Sequence, residues 1–383
     1  MANTITSVIA EMFNQGLVGV PREKIGALNA VSLSAEATQA STFDTVSVPV
    51  SPAMAATPVT PSQTFTVGAD RDIGKRSLTL DVFEEVTWNQ TAEEERALEN
   101  SGNAQDIMMQ SIAQGIRTLA NKVEASIINK AYVQATRAFG TAGTAPFATD
   151  LKQLAAIVGI LDENGVGGDR HAVLSTQAKV NMLGLTQLSN ANQAGSDALL
   201  RQGAMADLFD VMIHNSAQVP VHVKGTATGA LVNASGGLAV GATNIPFDGA
   251  TAGATGIKAG DVITFAADSD NKYVVVTGVD AASGTLVIQG PGLRKAIPDN
   301  NAITVGNDYS PNLVLSKSAV VAAIRPGLQP VGALAEQSVV TDPVSGISAL
   351  LLRVPGNALS SYYLRIVYGS FAPNPYAIAT LLG

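Results

Sequence analysis

Apolar residues Met108, Ile112, Ile116, Leu119, Val123 and Ile127 recur at steps of four, four, three, four and four. That spacing draws one continuous stripe down a helix and predicts a long amphipathic helix over 103–140. Ser101 or Asn103 can cap its start, and Gly140, Gly143 and Pro146 end it. At about 1.5 Å per residue it reaches roughly 50 Å. No second run of that length exists to pair with it. The helix is therefore expected to lie across a sheet rather than in a bundle.

The flanking patterns differ. Ile5, Val8, Ile9, Met12, Phe13, Leu17 and Val18 fall at helical spacing over 2–20, stopped near Gly19 and Pro21. That helix reads equally as a core element or as an arm lying on an adjacent subunit. TVSVPV at 45–50 and SLTLDVF at 77–83 alternate with period two, and between them stand Pro52, Pro58, Pro61 and the polar stretch 70–76. Two strands so joined predict an extended, proline-stiffened hairpin that must lie on something else. After the long helix, Leu151, Leu154, Ile157, Val158 and Leu161 predict a helix over 149–163, with Asp150 near its start. A glycine-rich turn at 164–168, a strand at 171–175, a short helix through Lys179 and Leu183, and a strand at 208–213 follow.

Composition shifts near Val223. From there to Asp308 the chain is rich in Gly, Ala, Thr and Val, with short runs VITFA, KYVVV, TLVIQ and AITVG. Turn signals at Gly260-Asp261, 268–271 and Ser283-Gly284 separate them, predicting a small β-barrel or sandwich. Residues 211–223 and 313–315 read as parts of one sheet, so the block reads as an insertion between them. The remainder holds a predicted helix at 316–324 and strands at 348–354 and 362–368.

A chain of 383 residues exceeds one compact core, so two or three units are expected. Only 14% of residues are charged and 46% are hydrophobic. A lone subunit with so few charges exposes neutral and apolar surface, which points to coverage by neighbouring copies. The net charge is -8 and is unevenly placed. Between Asp81 and Glu99, seven acids (Asp81, Glu84, Glu85, Glu93, Glu94, Glu95, Glu99) face one base, Arg96, a local sum of -6. Arg71, Lys75 and Arg76 cluster just upstream. Pairing of Arg71, Lys75 and Arg76 of one copy with Glu84, Glu85, Glu93, Glu94 and Glu95 of another is the candidate inter-subunit contact. No basic face suited to duplex phosphates is visible, which argues against sequence-specific DNA binding.

Candidate chemistry is sparse. There is no cysteine, which excludes disulfides and thiolates. His171, His214 and His222 lie on different segments without metal-ligand spacing, so no metal site is expected. No Lys or Arg precedes Arg22 and no apolar run reaches about eighteen residues. Neither a secretion signal nor a membrane span is expected, and a cytoplasmic product is. The 165–168 glycine run follows a helix and lacks the spacing and Lys of a phosphate loop. Asp268 and Asp270 resemble the start of a calcium loop, but Tyr273 stands where Gly is needed. No G-x-S-x-G elbow exists, and Val344-Ser345-Gly346 lacks the first Gly. Glu84-Glu85 and Glu93 to Glu95 sit among polar residues before a helix, where acids favour the helix start. No catalytic residue, cofactor or metal is expected, and the chain reads as a non-enzyme.

The order of elements resembles the major capsid (coat) proteins of tailed bacteriophages, which have the Hong Kong 97-type fold. Local wording is similar too: Leu161-Asp162-Glu163-Asn164-Gly165 before Asp169-Arg170-His171-Ala172-Val173-Leu174-Ser175, then Leu200-Arg201-Gln202-Gly203 through Asp210-Val211 and Val219-Pro220. Lys317-Ser318-Ala319-Val320, 342–348 and Arg365-Ile366-Val367-Tyr368-Gly369 resemble the closing part. The resemblance spans nearly the whole chain. It implies an α+β fold with an N-terminal arm (1–44), an extended β-hairpin loop (45–88), and a spine helix with peripheral domain (89–145). An axial domain in two parts (146–222 and 309–383) would flank a β-rich insertion domain (223–308), similar to that of certain short-tailed phages. The implied role is a structural subunit self-assembling into an icosahedral head around double-stranded DNA. Implied partners are further copies in pentamers and hexamers, scaffolding, portal and decoration proteins, and packaged DNA held non-specifically, with no membrane. The implied location is the virion, after assembly in the host cytoplasm. Some members crosslink a Lys to an Asn between subunits; that motif is not matched here. Two rivals stay open: an encapsulin-type nanocompartment shell, and a β-rich surface adhesin, which would need a secretion signal.

Overall fold

The computed structural model describes residues 20–34, 45–50, 74–101, 104–185, 207–251, 256–328 and 336–383. Residues 2–19 of the expected first helix, Pro52, Pro58, Pro61, Arg71 and the 200–203 motif lie outside them. Chain order begins α1 (Ala27–Ala30), β1 (Ser32–Leu33), β2 (Thr45–Val50), β3 (Gly74–Thr79), β4 (Val82–Thr91), α2 (Ala92–Ser101) and α3 (Ala104–Val133). Next come β5 (Arg137–Phe139), α4 (Lys152–Glu163), β6 (Arg170–Leu174), α5 (Thr176–Leu183), β7 (Asp207–Leu208) and β8 (Val211–Asn215). The β-rich stretch holds β9 (Leu231–Val232), β10 (Asn244–Asp248), β11 (Val262–Phe265), β12 (Asp268–Thr277), β13 (Gly284–Ile288) and β14 (Ile303–Val305). The chain closes with β15 (Pro311–Ser316), β16 (Val321–Pro326), β17 (Glu336–Thr341), β18 (Ser348–Pro355), β19 (Leu359–Phe371) and β20 (Ile378–Leu382).

The long helix is there, lying across a sheet. Ile112, Ile116, Leu119, Val123 and Ile127 of α3 are at most 3% exposed and share a core with Leu364, Ile366 and Tyr368 of β19. Closest approach comes at Gly115, where an added Cβ would sit 3.1 Å from Leu364. Strand β19 organises this sheet. One flank pairs with β4 from Leu359 to Tyr368; the other is shared end to end by β18 and β16. On that framework Trp88 of β4 stacks on its cross-strand partner Tyr362, ring centroids 5.4 Å apart.

Three expectations need correction. The long helix stops at Val133, not at 140. The Thr136 amide and hydroxyl both donate to the Ile378 carbonyl, at 3.0 and 3.1 Å, and Arg137–Phe139 then pairs with β20 and β12. Sheet pairing thus takes over from helix once the apolar stripe ends. The helix expected at 316–324 is the end of β15, a single 3-10 turn (Lys317–Ala319) and β16. Both flanks are claimed by sheets, β15 by β6 and β20, and β16 by β19 and β1. The strand expected at 208–213 is a hairpin: Phe209 and Asp210 turn it with φ of 54 and 60°, the left-handed pair of a tight hairpin turn.

A second sheet runs β7-β8-β6-β15-β20-β5-β12-β13-β10-β9, with β11 joined to β12 and β14. Helices α4 and α5 cover the β6 to β20 region through Leu154, Ile157, Leu161, Ala178 and Met182. The runs VITFA, KYVVV, TLVIQ and AITVG are all strands, and they enclose a separate core of Ile245, Phe247, Phe265, Tyr273, Val275 and Leu286. That core is tied to the rest at the C-terminal end of α3. Asp261, wholly buried at its carboxylate, accepts from His222 Nε2 at 2.8 Å and from the Lys258 amide at 2.7 Å. The other ring nitrogen of His222 meets the Tyr132 hydroxyl of α3 at 3.2 Å. The suspected calcium carboxylate Asp268 is satisfied by Tyr273 and Asn271, each at 2.8 Å.

Strands β2 and β3 form a two-stranded ribbon in antiparallel register, Thr45 opposite Thr79. At its base Leu78 and Leu80 are fully buried against Ala323 and Val367. Gly369 makes this crossing possible, since a Cβ there would lie 2.2 Å from the Thr79 carbonyl oxygen. Gly369→Ala is expected to cost about 1–3 kcal/mol through overpacking, read as a lower urea midpoint with faster amide exchange at Leu78 and Leu80. An unchanged midpoint would show that the ribbon base can shift freely.

Candidate assembly surfaces

The acidic run divides between a strand and a helix. In β4 alternate residues face α3 and the opposite side, so Val82, Glu84, Val86 and Trp88 are half-buried while Phe83, Glu85, Thr87 and Asn89 are exposed. Glu84 therefore meets Lys122 of α3 at 3.1 Å, and Asp81 meets Lys130, about two turns further along α3, at 3.1 Å. Glu85, on the other side, takes Arg365 at 2.8 Å, whose guanidinium also lies 5.1 Å over the Tyr363 ring. Glu95 pairs with Arg353 at 2.9 Å.

Glu93, Glu94 and Glu95 do not precede a helix but form the first turn of α2 itself. Thr91 and Glu94 build a reciprocal cap: the Thr91 amide donates to Glu94 at 2.9 Å, and the Glu94 amide to the Thr91 hydroxyl at 3.3 Å. These bonds hold the Glu94 carboxyl below the usual carboxylate range. The T-x-x-E spacing was the sequence signal for this helix start. Four of the acids, Asp81, Glu84, Glu85 and Glu95, thus find their cation inside the same subunit. Glu93 and Glu99 are exposed, with no ion pair among the described residues. Of the basic cluster, Arg76 is exposed on β3, Lys75 stands opposite Pro49 in the ribbon, and Arg71 lies outside the described residues.

A second surface is the docking strip for residues 20–34. Glu124 of α3, fully buried, accepts from the amides of Gly26, Ala27 and Leu28 at 2.7, 2.6 and 3.1 Å. A buried carboxylate is tolerated because it satisfies the orphan donors at the start of α1. One turn earlier on α3, Arg117 and Asn121 grip Glu23. The Arg117 guanidinium, helped by Asn121, holds the Glu23 carboxyl at about 2. Arg22 reaches Asp342 at 2.6 Å. Sequence reasoning missed this strip because Glu23 and Glu124 are far apart along the chain. Exposed apolar side chains also gather on α5 and the β7–β8 hairpin, namely Val180, Leu183 and Phe209. Both elements rest on one core containing Met182 and Val211.

The three histidines are also brought into contacts that the sequence hid. His171 and His214 meet across adjacent strands at 2.9 Å, and His222 joins Asp261. Among the described residues no three His, Asp or Glu side chains gather as a metal site, and no helix is long and apolar enough to cross a membrane.

No protein-family model matches the chain, and no curated protein does. Solved structures do. One from Mycobacterium phage Che8 matches with a TM-score of 0.52 at 12% identity, over 94% of this chain and 92% of that one. The capsid structure of cyanophage P-SCSP1u matches at TM-score 0.49 and 13% identity, over 95% and 89% of the two chains. The capsid of the native GTA particle matches at 0.48 and 13%, over 95% and 91%. The chain is a mixed α/β protein, and it shares its fold with the structure from Mycobacterium phage Che8.

Two predictions follow from the docking strip. Glu124→Ala orphans three amides and should cost about 2–4 kcal/mol, with Glu124→Gln costing less; equal urea midpoints for wild type and Glu124→Ala would refute the cap. The Glu23 carboxyl is depressed in the fold, so its stabilisation is complete above the usual 4.5 and is lost as pH falls toward about 2. Glu23→Gln should flatten stability over that acid window, as measured by urea unfolding at each pH.

Proposed function

We propose that this chain is the major capsid protein of a tailed bacteriophage, a non-enzymatic subunit of Hong Kong 97 type that closes into an icosahedral head. The observation that carries the reading is the fold shared with the Che8 phage structure over 94% of this chain. Within it, α3 is the spine and the β19 sheet with α2 the peripheral domain. The β6–β8–β15–β20 region is the axial domain, and the separate core of 223–308 is an inserted domain. The β2–β3 ribbon is the extended loop, and residues 20–34 lead in from the arm. The phage reading is preferred to a nanocompartment shell because the supporting structure is a phage one. Partners on this reading are further copies in pentamers and hexamers, scaffolding, portal and decoration proteins, and DNA contacted non-specifically, within the virion.

Assembly on this view rests on several modest contacts per subunit, closed by symmetry. Among the described residues the internal ion pairs leave Glu93, Glu94 and Glu99, and with Glu94 engaged in the Thr91 cap, Glu93 and Glu99 are the acids offered to a neighbour's Arg71, Lys75 and Arg76. Protein expressed alone should form closed shells, sheets or tubes in negative-stain micrographs; a dispersed 39.2 kDa species at high concentration would sink the reading. Arg71→Glu, Lys75→Glu and Arg76→Glu together should raise the concentration needed for assembly by roughly tenfold, as a loss of ~1.4 kcal/mol does. Adding Glu93→Lys and Glu99→Lys to that variant should restore it. Rescue failing while the unaltered chain assembles would move the contact elsewhere.

A further inference from the structure

The His171–His214 contact has no part in the assembly reading, and its chemistry is specific. The rings lie near-parallel, with centroids 5.1 Å apart, and His171 Nδ1 faces His214 Nε2 at 2.9 Å. His171 Nε2 faces the Asp169 carboxylate at 3.0 Å. A carboxylate only accepts, so Nε2 of His171 carries a proton. The Nδ1 of neutral His171 then accepts from His214 Nε2–H. Only one hydrogen fits between the two rings. A proton can be added on the far nitrogen of His214, but a second would set two N–H groups and two positive charges face to face.

His214 of the pair sits directly under residues 20–34. Gly26 packs so tightly on β8 that a Cβ there would lie 3.0 Å from the His214 Cβ and 2.7 Å from the Asn215 carbonyl oxygen. The Ala217 amide donates to the Lys24 carbonyl at 3.0 Å, and Ser32 Oγ to the Lys317 carbonyl at 2.9 Å. The charged groups that act on the pair are Asp169, just before β6, at His171 and Lys317, on the 3-10 turn, at His214; Glu23 and Glu124 are engaged with α3 and the amides of 26–28. Arg170 points away, to Asp162 and the Val166 carbonyl.

We propose that His171 and His214 form a proton-operated latch: residues 20–34 dock over the closed pair, whose rings share a single hydrogen, and acid, by adding protons, opens the pair and releases the segment. Burial, with His171 and Lys317 beside it, lowers the His214 imidazole below the usual histidine value. The sign follows: the latch is fully shut above the ordinary histidine range and loosens as pH falls through it. This window lies above the one set by Glu23, which acts only below 4.5. The latch belongs to the subunit and holds whatever the subunit assembles with.

Amide hydrogen exchange on the full chain, corrected for intrinsic rates, tests it between about pH 7 and about pH 5. Wild type should lose protection at residues 26–28, 32 and 34 several-fold, reversibly, while β11 and β12 stay unchanged. His214→Gln should keep neutral-pH protection and abolish the acid loss; His171→Gln should attenuate it. Glu23→Gln should retain it. A flat wild-type profile, or an undiminished acid loss in His214→Gln, overturns the latch. Should His214→Gln be unprotected already at neutral pH, the attenuation in His171→Gln decides.

Discussion

Helix α3 is the support that the other parts share, and the rest of the structure depends on that. Its apolar stripe presses on β19, where Gly115 leaves room for the Leu364 side chain. Lys122 and Lys130 tie down β4 and the residue before it; Arg117, Asn121 and Glu124 hold residues 20–34; Tyr132 meets His222 of the β-rich region. The large term is burial of the stripe, roughly 1.5–3 kcal/mol for each fully buried aliphatic side chain. The ion pairs are exposed enough to add little. Burial makes the helix a rigid rod; the polar groups decide what is fixed to it and in which register.

Much of this was legible in the sequence, and the failures have physical causes. The α3 stripe and the four runs that became β11 to β14 are long or isolated patterns that tertiary contacts did not override. Strand β4 was hidden because Glu84 and Glu85 read as solvent-facing, although Val82, Val86 and Trp88 keep the period of two around them. Its acids are stabilised by cations from α3 and β19, which only the folded chain brings near. The 316–324 segment shows the usual ambiguity of short apolar runs: Val320, Val321 and Ile324 suit either period, and pairing with β19 decided the matter. The His171–His214 pair and the Glu124 cap were beyond reach, since each joins residues whose contact is set by strand order or helix docking.

The acids carry a lesson about assembly. A run with a local charge of -6 invites the idea of an electrostatic seam between copies, yet Asp81, Glu84, Glu85 and Glu95 each meet a cation of their own chain. Those pairs stitch β4 to α3 and β19, and α2 to β18. What remains for a neighbour is a small number of charges at the start and end of α2. On the proposed assembly, contacts between copies draw mainly on shape and on neutral surface, in keeping with a charged fraction of 14%. The few free charges are better suited to selecting register than to supplying affinity.

A subunit built this way has a rigid centre and a conditional edge. The β19 sheet and α3 share one buried apolar core, and Asp261, His222 and Tyr132 are joined to it by direct polar contacts. Residues 20–34 are different: Arg22, Glu23, Glu124 and the histidine pair fasten them through titratable groups. Fastening a segment by charge and proton count as well as by apolar area makes its docking free energy a function of solution conditions. The segment buries Val20, Ala27, Leu28, Ala30 and Val31 in the main core, and its polar contacts add the dependence on conditions to that apolar hold.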